Sequence, residues 1–124
     1  MPSMTRRLLL AAALLGLAAP WMPAPGAELV MVERAGCVWC ERWNRDVAPV
    51  YGKSDEGQRA PLRRVDLADG QPGLDLKEPV RFTPTFVLVE QGREVGRITG
   101  YLDDAMFWGL LGAMLARLEE KPAR

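Results

Sequence analysis

Cys37 and Cys40 are the only cysteines in the chain, and they stand three positions apart as Cys37-Val38-Trp39-Cys40. An apolar run, Leu29-Val30-Met31-Val32, precedes them, and a stretch with helical patterning follows. Two thiols at a strand-to-helix junction can open and close a disulfide with little backbone movement. The chemistry such a pair offers is thiol–disulfide exchange. The attacking species is the thiolate, and an ordinary cysteine titrates near about 8.5. A cysteine at the start of a helix faces unpaired backbone N–H groups and the positive end of the helix dipole, which both favour the thiolate. Cys37 holds that place, with Arg34 and Arg42 close in sequence. Cys40 follows one turn further in, where burial is greater and where it can resolve a mixed disulfide made by Cys37. The expected division is that Cys37 attacks and Cys40 releases the partner.

Three other readings of the pair compete. A structural staple closing so short a loop removes little chain entropy and stabilises little. Half of a zinc site would need more ligands, since zinc usually takes four, and the chain has no histidine and no further cysteine. A module that keeps the motif and only binds a partner stays open, because a fold does not imply an activity. The absence of histidine also removes Ser-His and Cys-His nucleophilic catalysis. Covalent haem attachment would need histidine after Cys40, where Glu41 stands. No cofactor is expected.

Elements that can hold the pair follow from the apolar patterning. Glu28 to Glu33 reads as a strand whose continuous apolar run suits a position covered on both faces. Val38 to about Val50 reads as a helix, with Trp39, Trp43, Val47 and Val50 on one stripe and Pro49 ending or kinking it near Asp46 to Ala48. Residues 51–60 read as a loop with one helical turn, and Leu62 to Asp66 as a second strand. Asp69 to Gly73 is a turn cluster, and Leu74 to Val80 holds a short helix at most, since Pro79 interrupts it. Phe86 to Val89 and Val95 to Thr99 read as strands joined through a two-residue turn, Gln91-Gly92. Asp103 to Glu119 is the best-patterned helix, capped by Asp103 or Asp104, with Phe107, Leu110, Leu111, Met114, Leu115 and Leu118 as its apolar stripe. Strand, helix, strand, then hairpin and helix make an α/β class: a βαβ unit with parallel strands, joined to an antiparallel hairpin in one small mixed sheet with helices on both faces.

The chain has 124 residues, 48% hydrophobic and 26% charged, which fits one globular domain. Residues 1–27 read as an export leader: Arg6 and Arg7, then an apolar stretch from Leu8 to Ala19, then small and Pro-rich residues up to Ala27. The apolar stretch is short of the roughly 20 residues that span a bilayer, although an uncleaved anchor remains the alternative. Thr5-Arg6-Arg7 touches the twin-arginine pattern. Removing the leader leaves 14 basic against 16 acidic residues, a net charge of −2, and no basic patch that would suit nucleic acid. Export places the thiols in an oxidising compartment, where a donor must keep them reduced. Residues 28–120 then form the single working domain, and the 97 residues that follow the leader are enough for one core, though a marginal one.

Cys37-Val38-Trp39-Cys40 at a strand–helix junction, Thr83-Pro84-Thr85 before an apolar strand, and Gly100-Tyr101 before the last helix resemble the thioredoxin superfamily. More narrowly, Cys37 to Trp43, Ala60 to Asp66, Phe82 to Val89, Gly92 to Ile98 and Phe107 to Leu111 are similar to the small periplasmic thioredoxins encoded with bacterial sulfur-oxidation genes. The resemblance implies a thioredoxin-like fold, four strands in the order 2-1-3-4. It implies that Pro84 is cis and faces the cysteines, so that the backbone of Thr83 pairs with an extended substrate segment; the alternative is a trans proline opening an edge strand. Trp39 is either a flat contact surface for partners or a core residue packed on Trp43. Thioredoxins also bury an acid six residues before the first cysteine, and here Met31 stands there. Glu33 is the nearest acid, on the same side as Met31 if the strand is regular.

The implied activity is a thiol–disulfide oxidoreductase. Strongly oxidising relatives often carry histidine between the cysteines, and this chain has none, so a reductase or isomerase role is expected. Its partners would be a periplasmic protein thiol or disulfide, such as an oxidised sulfur-carrier cysteine, and a membrane electron donor of the disulfide-reductase type. Glutathione chemistry of the glutaredoxin kind and a non-catalytic binding module working through the Pro84 groove are the competing functions.

Overall fold

The computed structural model describes residues 16, 26–71 and 73–120, so most of the expected leader lies outside the described residues. Strand β1 (Ala27–Glu33) carries apolar side chains of both parities, and both of its faces are covered. Strand β2 (Leu62–Asp66) pairs with it in parallel, with Leu29 opposite Leu62 and Val32 opposite Val65. Strand β3 (Thr85–Glu90) pairs with β1 on the other side, antiparallel, with Met31 opposite Phe86. Strand β4 (Arg93–Thr99) closes the hairpin with β3. The sheet order is β2-β1-β3-β4, mixed, as expected for a thioredoxin-like fold.

The β3–β4 turn is the expected two-residue one. Gln91 and Gly92 have φ of 51° and 80°, and two successive left-handed residues give the turn whose twist matches its strands. The ladder shifts register between Leu88 and Val89: Leu88 faces Gly96 while Val89 faces Glu94, so Val95 is an extra residue on β4.

Helix α1 (Val38–Asp46) stops short of Pro49, and the chain restarts as α2 (Ala48–Tyr51) with Pro49 in its first turn, where a missing N–H does no harm. Helix α3 (Asp55–Arg59) is the single turn expected in the following loop, capped by the Ser54 hydroxyl. Helix α4 (Asp104–Glu120) is capped by Asp103, whose carboxylate accepts the Met106 N–H at 2.8 Å.

One face of the sheet, built from Leu29, Met31, Phe86, Leu88 and Ile98, packs against Trp43 and Val47, Tyr51 of α2, and Phe107, Leu111 and Leu115 of α4. An aromatic cluster sits at its centre, with ring centroids 4.9 Å apart for Phe86 and Phe107 and 5.1 Å for Trp43 and Phe86. The other face, Val30, Val32, Val87 and Val89, is covered by Val80 with Val65, Leu67, Leu74 and Leu76. Among the described residues, helical cover there is one 3-10 turn, Leu67–Asp69, and the rest is irregular chain. No helix forms over Leu74 to Val80; Asp75 instead bridges Arg93 in parallel.

Two expected stripes need correction. On α1 the buried line is Cys40, Trp43 and Val47, while Trp39 is 47% and Val50 50% exposed. Trp39 lies in the first turn of α1, just past the 34–37 turn that leaves the end of β1, and the break at Val47 turns Val50 outward. On α4 Leu110 is left largely exposed, because Phe107, Leu111, Met114 and Leu115 already fill the contact with the sheet.

Candidate active site

Arg34-Ala35-Gly36 turns the end of β1 into α1, and Gly36 takes φ of 75°, where a side chain would be strained. Cys37 is the N-cap of α1, with extended backbone, and its sulfur accepts the Cys40 N–H at 3.1 Å. The two cysteines are joined as a disulfide, their Cα atoms 5.2 Å apart. Both are buried in this state, Cys37 6% and Cys40 3% exposed. Burial therefore separates them little. The hydrogen bond does, since among the described residues only the Cys37 sulfur takes an amide N–H. A negative sulfur at Cys37 would gain from that donor and from the helix terminus together.

The Thr83–Pro84 bond is cis, as the resemblance implied. Val32 lies opposite Thr85, so Pro84 and Thr83 pass the same end of β1 from which the cysteine turn departs. Pro84 is buried, and its carbonyl accepts the Gly100 N–H at 2.7 Å. The Thr85 hydroxyl donates to the Phe82 carbonyl at 2.6 Å. The Thr83 hydroxyl is buried with no partner among the described residues. Residues 34–37, 82–84 and 100–102 thus meet at one pole of the sheet.

Trp39 stands at that pole, exposed, with the Arg42 guanidinium 5.1 Å from its ring centroid. It does not pack in the core with Trp43, which is fully buried. An apolar cleft of about 350 Å³ runs beside it, lined by Trp39, Thr99, Gly100, Tyr101, Leu102 and Met106. Leu102 of its lining, and Val38 and Phe82 in or next to the other two segments at this pole, are each more than 60% exposed. Sequence reading missed Phe82 and Leu102 as surface features. The available signal was position: each is an apolar residue in a connection, adjoining a motif and outside any periodic stripe.

Met31 is buried at the position of the missing acid. Glu33 does lie on its side of the strand, for Arg64 reaches both, at 2.6 Å from the Glu33 carboxylate and 3.6 Å from the Met31 sulfur. The same guanidinium donates to the Asn44 side chain at 2.8 Å. Glu33 is thus engaged in an ion pair at the corner of β1, β2 and α1.

Tyr101 ties the third loop to α1 by donating to the Asp46 carboxylate at 2.9 Å. Burial, then that hydrogen bond and the Asp46 charge, push its hydroxyl up to about 12 from an ordinary 10.0. Burial raises Tyr51 as well, whose hydroxyl donates to the Ala60 carbonyl at 2.6 Å. A raised folded-state value gives stability that is complete below the unfolded value and is lost as pH climbs through the folded one. Thermal stability should therefore fall between pH 10 and about 12. Tyr101→Phe is expected to be less stable than wild type at neutral pH by about 1 kcal/mol and to lose less over that alkaline range. Parallel wild-type and variant curves in a pH series of melting temperatures would refute it.

A family model described as a thioredoxin-like domain matches residues 28–115. The chain belongs to the thioredoxin-like family. The periplasmic thioredoxin SoxS from Paracoccus pantotrophus, solved in its reduced form, is 42% identical, with 74% of this chain and 98% of that chain covered and a TM-score of 0.72. A thioredoxin-fold protein from Helicobacter pylori (18% identity, 80% of this chain and 75% of that one, TM-score 0.59) shares the fold. So does the germline-specific thioredoxin Deadhead from Drosophila melanogaster (21% identity, 76% and 82%, TM-score 0.55). No curated protein matches this chain. The resemblance to small periplasmic thioredoxins stands, and a thioredoxin-like chain with its Cys37–Cys40 pair closed at a helix start supports thiol–disulfide exchange as its general chemistry. Among the described residues, no helix is long and apolar enough to cross a membrane.

Proposed function

We propose that this protein is an exported thiol–disulfide oxidoreductase working as a reductase of periplasmic protein disulfides or oxidised cysteines, in the service of sulfur oxidation. The observation that carries the reading is the Cys37–Cys40 pair on the first turn of α1, with the Cys37 sulfur on the Cys40 N–H. In the reduced protein the Cys37 thiolate attacks one sulfur of a partner disulfide. The partner's other sulfur leaves as a thiolate and takes a proton. Cys40, deprotonated, then attacks the Cys37 sulfur and expels the partner's first sulfur as a second thiol. Two electrons have passed to the partner, and Cys37–Cys40 is left as the disulfide seen here. A membrane electron donor of the disulfide-reductase type returns it to the dithiol by the reverse exchange. Trp39 is the contact surface, and the Thr83 backbone beside Pro84 pairs with the partner's extended segment. Residues 1–27 act as the export leader and residues 28–120 as the redox domain.

The direction rests on the residues between the cysteines. Val38 and Trp39 offer nothing like the histidine that stabilises a reduced thiolate in strong oxidants. The midpoint potential, measured by equilibration against a redox buffer, is expected near that of reducing thioredoxins, about −270 mV, and a value near about −120 mV would overturn the reductase role.

A further inference from the structure

The loop bearing Thr83 and Pro84 is reached through residues 75–82, which form no helix and no strand. One bridge fixes the start of this segment. The Asp75 N–H donates to the Gly92 carbonyl at 2.8 Å, and the Glu94 N–H donates to the Asp75 carbonyl at 3.0 Å. Beyond that point two side chains of β4 take over. The Glu94 carboxylate accepts the Lys77 N–H at 3.1 Å, and it also accepts Arg97 through Nη2 at 2.7 Å and Nε at 3.0 Å. Arg97 in turn donates to the carbonyls of Glu78 at 2.7 Å and Pro79 at 3.5 Å. The Glu94 and Arg97 side chains are only 5% and 14% exposed. They share the valine face of the sheet at a spacing of three because the bulge adds Val95 between them.

A charge pair withdrawn from water is a poor device for stability, since desolvation offsets most of the attraction. This one is spent on backbone atoms. It holds the carbonyls of Glu78 and Pro79 immediately before Val80, which plugs into the second core cluster, and before exposed Phe82. We infer that the Glu94–Arg97 pair positions the substrate loop, fixing where Phe82 and Thr83 stand beside the disulfide. Arg97 touches no reacting atom and is a positioning residue. The inference rests on the oxidoreductase reading and adds to it the part of β4 that sets partner affinity.

Arg97→Lys tests it. Lysine keeps the charge beside Glu94, but one ammonium cannot serve two carboxylate oxygens and two carbonyls at once. With insulin as the protein disulfide, KM is expected to rise about fivefold or more while kcat stays within about twofold. The midpoint potential and the rate with a small soluble aromatic disulfide should hold. Amide hydrogen exchange should quicken at Lys77 and from Val80 to Phe82, and not in β1. Glu94→Gln, which keeps the acceptor oxygen and removes the charge, should shift the same two readouts and covers a failure of the first variant to fold. An unchanged KM in a folded variant overturns the inference. So does a fall in kcat that matches the rise in KM together with protection lost throughout the fold, which marks a merely structural pair. Wild-type protein that reduces neither probe refutes the oxidoreductase reading instead, and the exchange pattern then decides separately whether the pair holds the loop.

Discussion

Cells exporting the Cys40→Ser protein are expected to accumulate it in covalent adducts, visible on non-reducing gels and released by a thiol reductant. The hydrogen bond that favours a negative sulfur at Cys37 comes from the backbone of residue 40, not its side chain, so the substitution leaves the attacking group supported. What it removes is the second exchange. The mixed disulfide then has no internal nucleophile one turn away to break it, and catalytic turnover should drop to the uncatalysed background. Folding should suffer little, because a disulfide closing a loop of this length constrains the unfolded chain only slightly. Cys37→Ala is expected to form no adducts, although Cys40 remains, because the Cys40 sulfur lacks the amide donor that favours a thiolate at Cys37. Adducts on Cys37→Ala would reverse the two roles. A Cys40→Ser protein that folds, is exported and carries no adducts would favour a module that binds through the Pro84 loop without exchange. The trapped proteins would also name the substrate.

Patterning reached the strands and their mixed sheet, because β1 is apolar on both parities and the Gln91-Gly92 turn can close only a tight hairpin, while the strand order came from the family resemblance. It reached the cysteine pair for the same reason: spacing of three at a helix start is a local fact, and local facts survive folding. The cis bond before Pro84 came from family resemblance and not from any pattern in the chain. Periodicity sets Val50 on the buried stripe and leaves Trp39 between surface and core, because it counts angles around a helix and cannot see where the sheet beneath it ends. The Glu94–Arg97 pair was out of reach. Its two members share a face only through a bulge, and its partners are backbone carbonyls from a segment of no repeating pattern. Glu33 marks the boundary between the two cases. Strand alternation put it on the Met31 side, and only the fold supplies Arg64 as the partner that engages it.

Trp43→Ala should be the most damaging core change in the chain, a loss of about 3–5 kcal/mol from a domain whose whole stability is of order 5–15. Trp43 is fully buried, with Phe86, Phe107 and Tyr51 rings at 5.1, 5.6 and 6.1 Å and the Arg64 guanidinium 5.5 Å over its face. It joins α1, α2, α4 and the sheet at once, so its removal leaves a cavity that no single element can move to fill. A small domain has little other core to compensate. Trp43→Phe behaves differently. The indole Nε1 is buried with no hydrogen-bond partner among the described residues, so phenylalanine loses volume yet also removes an unsatisfied donor, a group that ordinarily costs about 1–3 kcal/mol. The net loss is expected to stay below about 2 kcal/mol. Urea unfolding at constant m-value separates the two. A Trp43→Ala loss below about 1 kcal/mol would show that the cluster relaxes around the gap. The consequence for the site follows from the helix: Trp43 lies three residues after Cys40 on the buried side of α1, so the residue that anchors α1 also sets the depth at which Cys40 waits for Cys37.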